Sequence, residues 1–461
     1  MINLADKKIA VLGLGIEGSD VVRFLLKKGA KDIVIFDQKE SSELGDLYKE
    51  FKGLKSLRFR LGKDYLKGGL TDYDIIFRSP AFRLSMSQIV DAQKKGRIIT
   101  SATKLFFDLC PGKIIGVTGT KGKGTTATLI YQILKKAGKK VFLAGNIGEP
   151  MLVLLPKLDK DSWVILELSS FQLQDLEKSP YIAVVLFITS EHLDYHKDIQ
   201  EYIEAKSNIV RYQKREDFAV LNADNQISSS FADLTPARIH YFSRQKKVDG
   251  TYVKDGKIYL FEKLVGPTDK LQILGTHNWE NVCAAITAGW LAGADLKSLK
   301  QAVFSFKGLE HRLELVRTIR GVSFYNDSFS TTPETAIAAI KAFKQPIILI
   351  AGGSEKGSNY TQLGKEIVRS NVKVLILIGK TAKKIKEVVQ KEGFQGKIIY
   401  QPGGMKEIVN RAFSEGKKGD LVLLSPACAS FDMFKNYKDR GLQFKKYVWS
   451  LSPKSCFKIN N

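Results

Sequence analysis

Short β-branched runs that end in glycine-rich turns and pass into helical periodicity recur along this chain, and that alternation commits it to parallel α/β units. A strand that hands over to a helix through a glycine turn returns as a parallel neighbour, so each series needs a buried sheet with helices on its faces. Three series can be separated. The first has a strand from Ile9 to Leu12, a turn at Gly13, a helix from about Ser19 to Lys28 and a strand from Ile33 to Phe36. The second opens after Pro111-Gly112 with a strand from Lys113 to Val117, a glycine-rich loop and a helix from about Thr125 to Ala137. The third follows His311-Arg312 and contains strands from Ile347 to Ile350, Val374 to Ile378 and Leu421 to Leu424. Boundaries near 110 and 312 follow, and 461 residues are enough for three cores.

Charge narrows the partners without choosing one. The formal net charge is +24, of which +13 falls in residues 313–461, yet no block of five like charges occurs. A lysine-rich solvated surface explains this first, a polyanionic small substrate second, and a nucleic-acid stripe least. Cys110, Cys283, Cys428 and Cys456 show no CxxC or CxxH spacing, which argues against a zinc ribbon and a disulfide framework and predicts a reducing, cytoplasmic setting. The stretch Met1 to Gly18 lacks the apolar core of a signal peptide, and the apolar runs Tyr181 to Ile188 and Val374 to Ile378 fall far short of the ~20 residues that span a bilayer.

Several motifs carry chemistry. The first turn reads Gly13-Leu-Gly15-Ile-Glu17-Gly18, with Asp37 closing the next strand. Glycines there allow close approach of a diphosphate to a helix N-terminus, and a carboxylate after the second strand can accept from a ribose hydroxyl. The pattern alone predicts NAD, although another nucleotide diphosphate or a plain tight turn meets the same requirements. The second strand ends in Gly116-Val-Thr118-Gly119-Thr120-Lys121-Gly122-Lys123-Gly124-Thr125-Thr126. Successive backbone N–H groups around such glycines form an anion nest, and Lys123 adds a point charge for β and γ phosphates, so this is a phosphate loop. Gly124 stands where a hydroxyl usually reaches Mg²⁺, which hands that role to Thr125 or Thr126. Glu167 closes an apolar strand from Trp163 to Leu166, and Glu191-His192 follows one from Ala183 to Ile188. Carboxylate and imidazole at the C-terminal ends of parallel strands can converge above the phosphate loop, where such ligands suit Mg²⁺. Lys206, in a helical stretch from Glu201 to Val210, reads from the sequence as an ordinary solvated lysine.

Thr118-Gly119-Thr120-x-Gly122-Lys123, Gly145-Asn146-Ile147-Gly148, Glu167-Leu-Ser-Ser-Phe-Gln-Leu, His192-Leu-Asp194, Lys206, Gly275-x-His277-Asn278-x-x-Asn281, His311-Arg312, Asn326-Asp327-Ser328 and Ser425-Pro-Ala-Cys-Ala-Ser430-Phe-Asp, in this order, resemble the Mur ligases. The last block, followed by Phe434-Lys-Asn-Tyr437 and Arg440-Gly441, is most similar to the branch that adds D-glutamate to UDP-N-acetylmuramoyl-L-alanine. The resemblance runs from Gly13 to about Phe444 and outweighs the NAD reading.

The resemblance implies an α/β fold of three domains: a Rossmann-like N-terminal domain (1–110) for the UDP substrate, a central phosphate-loop ATPase domain with a mostly parallel sheet (111–312), and a Rossmann-like C-terminal domain (313–461) for the amino acid. Ile16, Glu17, Asp37, Arg78, Ser79, Asn146 and Ser169 would hold the UDP substrate. ATP would lie on Gly119, Thr120, Lys121, Gly122, Lys123, Gly124, Thr125 and Thr126, with Asn278, Asn281, Arg312 and Asp327. Two Mg²⁺ ions would be held by Thr125, Glu167, His192 and Lys206, the last as a carbamate; Lys123, Glu167, His192 and Lys206 would be the catalytic set. Thr331, Lys356, Ser430, Phe431 and Tyr437 would receive D-glutamate. The implied enzyme is a cytoplasmic ATP-dependent ligase of peptidoglycan precursor synthesis, monomeric, with small-molecule partners, no nucleic acid and no membrane insertion. Three rivals are another Mur-type or folylpolyglutamate-type ligase, an NAD-dependent dehydrogenase and a basic nucleic-acid-binding protein. The chain also departs from better-known members: Phe329-Ser330 replaces Lys-Ala, and Ser354 stands where aspartate is frequent.

Overall fold

The computed structural model describes residues 4, 6–192, 195–273, 275–355 and 357–452. The chain divides into two compact units, Met1–Leu271 with Thr276–Ser305, and Gln272–Gly275 with Phe306–Asn461. Among the described residues the first unit holds two sheets and the second holds one, so the first two predicted series share a compact unit.

The first sheet is parallel throughout: β1 (Lys8–Leu12), β2 (Asp32–Asp37), β3 (Leu57–Leu61), β4 (Ile75–Arg78) and β5 (Ile98–Thr100), in the order β3-β2-β1-β4-β5. The order reverses at β1, which opens a crevice at its C-terminal end beside β4. Gly13 occupies that place with φ +86, and a Cβ on it would come within 3.0 Å of Ser79 Oγ. The helix after it starts at Ile16, three residues before the predicted Ser19.

The second sheet runs β6 (Lys113–Thr118), β7 (Val141–Gly145), β8 (Trp163–Glu167), β9 (Ile182–Val185), β10 (Phe218–Asn222), β11 (Arg238–Ser243), β12 (Gly250–Lys254), β13 (Lys257–Leu260) and β14 (Lys263–Pro267). Its order is β14-β13-β12-β11-β10-β9-β6-β8-β7, parallel except that β13, near one edge, runs against both its neighbours. β6 is flanked by β8 and β9, and this neighbourhood brings the phosphate loop, Glu167 and the segment after β9 to one end of the sheet. The strand predicted to reach Ile188 ends at Val185. Beyond it the chain turns onto the phosphate loop, where Leu186 N donates to Thr118 O and Phe187 O accepts from Thr120 N.

One apolar core runs across both sheets of this unit, including Val21, Leu25 and Phe106 together with Met151, Leu152 and Leu154. Polar contacts bind the same seam. Asp20 Oδ2 accepts from Leu152 N at 2.8 Å, and Gln172 Nε2 donates to Glu17 Oε1 at 2.6 Å. Arg78, 2% exposed, donates to Phe82 O, Phe171 O and Asp175 Oδ1, the last at 2.9 Å. Removing one partner of a buried ion pair leaves the other charge uncompensated, so Arg78→Ala should lose about 3–5 kcal/mol of stability. Urea denaturation of the variant would measure this, and a midpoint equal to wild type would remove Arg78 from the seam.

The third sheet consists of β15 (Glu314–Ile319), β16 (Val322–Asn326), β17 (Ile347–Gly352), β18 (Val372–Ile378), β19 (Lys397–Tyr400) and β20 (Leu421–Leu424), ordered β15-β16-β20-β17-β18-β19. Only β15 is antiparallel. Alternate residues of β17 feed two cores, Ile348 and Ile350 on one face, Ile347 and Leu349 on the other, as expected of a strand covered on both sides. Among the described residues no helix is long and apolar enough to cross a membrane.

Candidate active site

The phosphate loop leaves β6 at Thr118 and ends where the helix Lys123–Lys136 begins, two residues earlier than predicted. Two glycines make its path possible. Gly119, at φ +146, lies so close to Leu186 that an added Cβ would sit 2.7 Å from the leucine Cβ. Gly122, at φ +88, caps the helix, and a Cβ there would meet Asn281 Oδ1 at 2.1 Å. Lys123 Nζ donates to Gly119 O at 3.0 Å and Thr120 O at 2.9 Å, so the cation is folded over the loop.

Lys206 is the residue the sequence described least well. The helix Ile199–Arg211 presents it inward, 1% exposed, with Nζ donating to Gly119 O at 3.0 Å and near Thr118 Oγ1 at 3.4 Å. Burial, and then the charge of Lys123, hold its amine well below the usual lysine range, while Glu191 and Glu167 pull it back up. The Tyr202 ring lies 4.6 Å from Nζ, and its hydroxyl reaches Thr120 Oγ1 at 3.0 Å. Desolvation pushes the Tyr202 phenol up to about 12.

Glu167, buried at the end of β8, pairs in register with Val117 of β6, and Thr118 Oγ1 donates to Leu168 O at 2.9 Å. Asn146 is exposed, with its N–H donating to Glu167 O at 3.3 Å. His192 has φ 57 and packs its ring 4.9 Å from Phe171. Its carbonyl accepts from Tyr195 N and His196 N, both at 3.0 Å, and His196 Nε2 meets Ser170 Oγ at 2.9 Å. That bond ties the His192 turn to the segment after Glu167. Asp194 lies outside the described residues. Phosphate loop, carboxylate, imidazole and buried lysine thus gather at one sheet end, lined by two cations and facing acidic groups.

Several of the predicted contact residues also bond within the protein. Thr126 is fully buried and donates to Asn281 Oδ1, and Asn281 Nδ2 donates to Asn278 Oδ1 at 2.8 Å, so Asn281 buttresses the loop from beneath. Asp37 accepts from Leu14 N and Lys39 N, one bond on each oxygen, which makes it the clasp of its own turn. Ser79 donates to Leu12 O, and Ser169 forms a capping box with Gln172. Ile16 is 74% exposed at the mouth of the first turn. Burial raises the Glu17 carboxyl to about 7 against the opposing effects of Gln172 and Arg78, and Asp20 adds to the rise.

In the second unit, Asp327 lies just after β16 and is buried. It accepts from Ser330 Oγ, Ser425 Oγ and Leu313 N, and burial raises its carboxyl to about 6. Arg312 stands 4.9 Å over the Phe329 ring, which meets Tyr437 edge-on at 5.3 Å. The aromatic that replaces a lysine therefore braces a guanidinium. Ser354 also finds a partner, exchanging bonds with Asp432: its hydroxyl donates to Oδ1 at 3.1 Å and accepts from Asp432 N at 2.9 Å. Ser430 is buried, Phe431 exposed and Thr331 half-buried; Lys356 lies outside the described residues. Among the described residues Glu310, His311 and Glu314 have metal-ligand spacing, but Lys445 Nζ pairs with both glutamates and supplies the countercharge.

Models of three families match in series: the Mur ligase MurD-like N-terminal domain over residues 7–101, the Mur ligase middle domain over 117–289 and the Mur ligase glutamate ligase domain over 311–428. The UDP-N-acetylmuramoylalanine–D-glutamate ligase of Acetivibrio thermocellus is 42% identical over 458 residues, covering 97% of each chain. This chain is a member of the Mur ligase family. The ligase of the same name from Clostridium kluyveri is 41% identical over 446 residues, 96% of each chain. Two solved Mur ligases of Thermotoga maritima share the fold. MurC aligns at a TM-score of 0.60 and 17% identity over 96% of this chain and 99% of its own. MurF, in complex with ADP, aligns at 0.54 and 16% over 98% and 100%.

What the motifs of this Mur ligase did not reveal is which of their members are internal braces. Gln172 and Arg440 were quoted only as parts of motifs, yet Gln172 reaches Glu17 across the seam and Arg440 is wholly buried. The Ser169-x-x-Gln172 spacing of a capping box is a signal that could have identified the first. Nothing local marks the second.

Proposed function

We propose that this Mur ligase joins D-glutamate to UDP-N-acetylmuramoyl-L-alanine at the expense of ATP, in the cytoplasm, as a step of peptidoglycan precursor synthesis. The observation that carries the reading is Lys206, sealed against the phosphate loop beside Lys123 with Glu167 close by, in a chain collinear with ligases of that name. A carboxylate lacks a leaving group. Transfer of the γ-phosphoryl group of ATP to the L-alanyl carboxylate gives an acyl phosphate and ADP; the amine of D-glutamate then attacks the carbonyl carbon, loses a proton, and phosphate departs.

The protein's part is to let two anions meet. Lys123 and the nest of N–H groups from Gly119 to Thr125 would hold the β and γ phosphates, and Asn278, Arg312 and Asp327 are the further nucleotide candidates. Ile16 and Glu17 at the first turn, with Asn146 beside Glu167, would position the UDP substrate. Thr125, Glu167 and His192 offer the hydroxyl, carboxylate and imidazole donors that suit Mg²⁺, and the depressed basicity of Lys206 favours the neutral amine that CO₂ converts to a carbamate, completing an anionic donor set. Bound there, Mg²⁺ would supply the countercharge between carboxylate and γ-phosphate. Thr331, Lys356, Ser430, Phe431 and Tyr437 would receive D-glutamate, and a single chain with small molecules suffices.

Phosphate release with UDP-N-acetylmuramoyl-L-alanine, ATP and a panel of D-glutamate, L-glutamate, L-lysine and L-alanine tests the acceptor. D-Glutamate should be preferred by more than tenfold; preference for L-lysine or L-alanine refutes the assignment.

A further inference from the structure

His196 is buried among aromatic rings, four residues after His192 and bonded to it through the backbone. Its ring lies nearly parallel to that of Phe171, at 11° and 5.6 Å between centroids, and meets Tyr202 edge-on at 5.5 Å. Nε2 pairs with Ser170 Oγ at 2.9 Å, whereas Nδ1 has no hydrogen-bond partner among the described residues and lies 4.0 Å from Glu201 Oε1. The bond to Ser170 is therefore the one hydrogen bond that fixes the ring. Serine and imidazole at this distance look like a nucleophile and its base, but Ser170 is only 1% exposed, so no substrate reaches the pair. What the pair does is join two segments.

The turn that carries His192 needs such a tie. His192 has φ 57, a left-handed conformation that a non-glycine residue keeps only when its surroundings impose it. Its carbonyl accepts the N–H groups of both Tyr195 and His196, and these two residues then anchor the turn to different neighbours. The Tyr195 hydroxyl donates to Phe82 O at 3.2 Å and accepts from Arg78 Nη1 at 3.4 Å, both on the side of the first sheet. His196 instead reaches Ser170, which opens the short helix Ser170–Leu173 three residues after Glu167. Phe171, next in that helix, packs its ring against both His192, at 4.9 Å, and His196. His196 thus links the turn of His192 to the strand end of Glu167.

We infer that His196 is a positioning residue for His192: bonded to Ser170 and stacked on Phe171, it sets the place of the His192 imidazole relative to Glu167 and so the fit of a divalent cation to the two. This deepens the reading of His192 and Glu167 as metal ligands and rests on it. Groups behind a ligand act by fixing its orientation, so slack in the turn costs affinity for the ion more than turnover once the ion is bound.

The experiment is a titration of the full chain with Mn²⁺, a divalent probe whose free form is counted by electron paramagnetic resonance. The variants are His192→Ala, His196→Phe, Ser170→Ala, the last two combined, and Tyr195→Phe. His192→Ala should weaken Mn²⁺ binding by about tenfold or more. Binding equal to wild type would remove His192 as a ligand and overturn the metal reading together with this inference. Given that loss, His196→Phe, which keeps a stacking ring but not the bond, and Ser170→Ala should each weaken Mn²⁺ by about fivefold or more. Combined, they should go no further than the larger single effect, because both remove the same bond. Tyr195→Phe, which loosens the other anchor, should leave the affinity as in wild type. The Mg²⁺ concentration for half-maximal phosphate release should rise in proportion in His196→Phe and Ser170→Ala, with kcat at saturating Mg²⁺ near wild type. A general structural role would lower kcat and the melting temperature in all these variants, Tyr195→Phe included, without recovery at high Mg²⁺. That pattern, or an unchanged Mn²⁺ affinity in either folded variant of the Ser170–His196 pair, overturns the inference and leaves the metal reading standing. Should His196→Phe not fold, Ser170→Ala decides alone.

Discussion

Lys123→Ala should lower turnover by about 10³-fold or more, on the scale seen when a fixed electrostatic partner of a transition state is removed. The γ-phosphate and the substrate carboxylate both carry negative charge, which on the proposed reading Lys123 would offset. Its Nζ already lies over the loop on Gly119 O and Thr120 O, so little reorganisation is needed when phosphate oxygens replace these carbonyls. Folding should hardly change, because loss of such hydrogen bonds costs about 1 kcal/mol each. Phosphate-release kinetics beside a melting curve separates the effects. Turnover near wild type in Lys123→Ala would sink the phosphate-loop assignment.

The second large effect is expected at Lys206. Unmodified, it is a buried amine facing a carbonyl and a second lysine, a poor place for a cation. Its depressed basicity would leave the lone pair free to add to CO₂ with loss of a proton, so that a two-oxygen anion keeping one N–H for Gly119 O would take the place of the amine. Lys206→Ala should lose activity by about 10²–10³-fold, and acetate or formate should restore at least tenfold of it by occupying the vacated space as a free carboxylate. Wild type depleted of CO₂ should weaken in parallel, and more so at lower pH, because protonation below the depressed pKa removes the nucleophilic amine. Activity that neither a short acid nor bicarbonate changes would refute the carbamate.

The motifs of the candidate site lie at the ends of strands, which is why a sequence can mark them. A strand followed by glycine and a helix N-terminus declares a phosphate loop through local chemistry alone, and Gly119, Gly122 and Lys123 took up the expected positions. Glu167 and His192 were chosen for the same reason, since each follows an apolar run. Asp37, Ser79 and Asn281 were chosen by the same logic, yet they spend their hydrogen bonds on turns and loops of the protein itself. A polar residue at a loop looks alike in a sequence whether it faces a ligand or braces the backbone.

Strand and helix periodicity, the glycine positions and the order of motifs were properties of the chain read residue by residue, and they sufficed for the α/β class, the phosphate loop and the family. Partnership between residues distant in sequence was decided by the folded structure. It is seen in Lys206 turned against Gly119, Arg78 reaching Asp175, and Arg440 clamping Ser328 to Cys428. A helix period shows which side of a helix is polar but not what a buried polar group meets there, and burial sets both the basicity of a lysine and the worth of an arginine's hydrogen bonds.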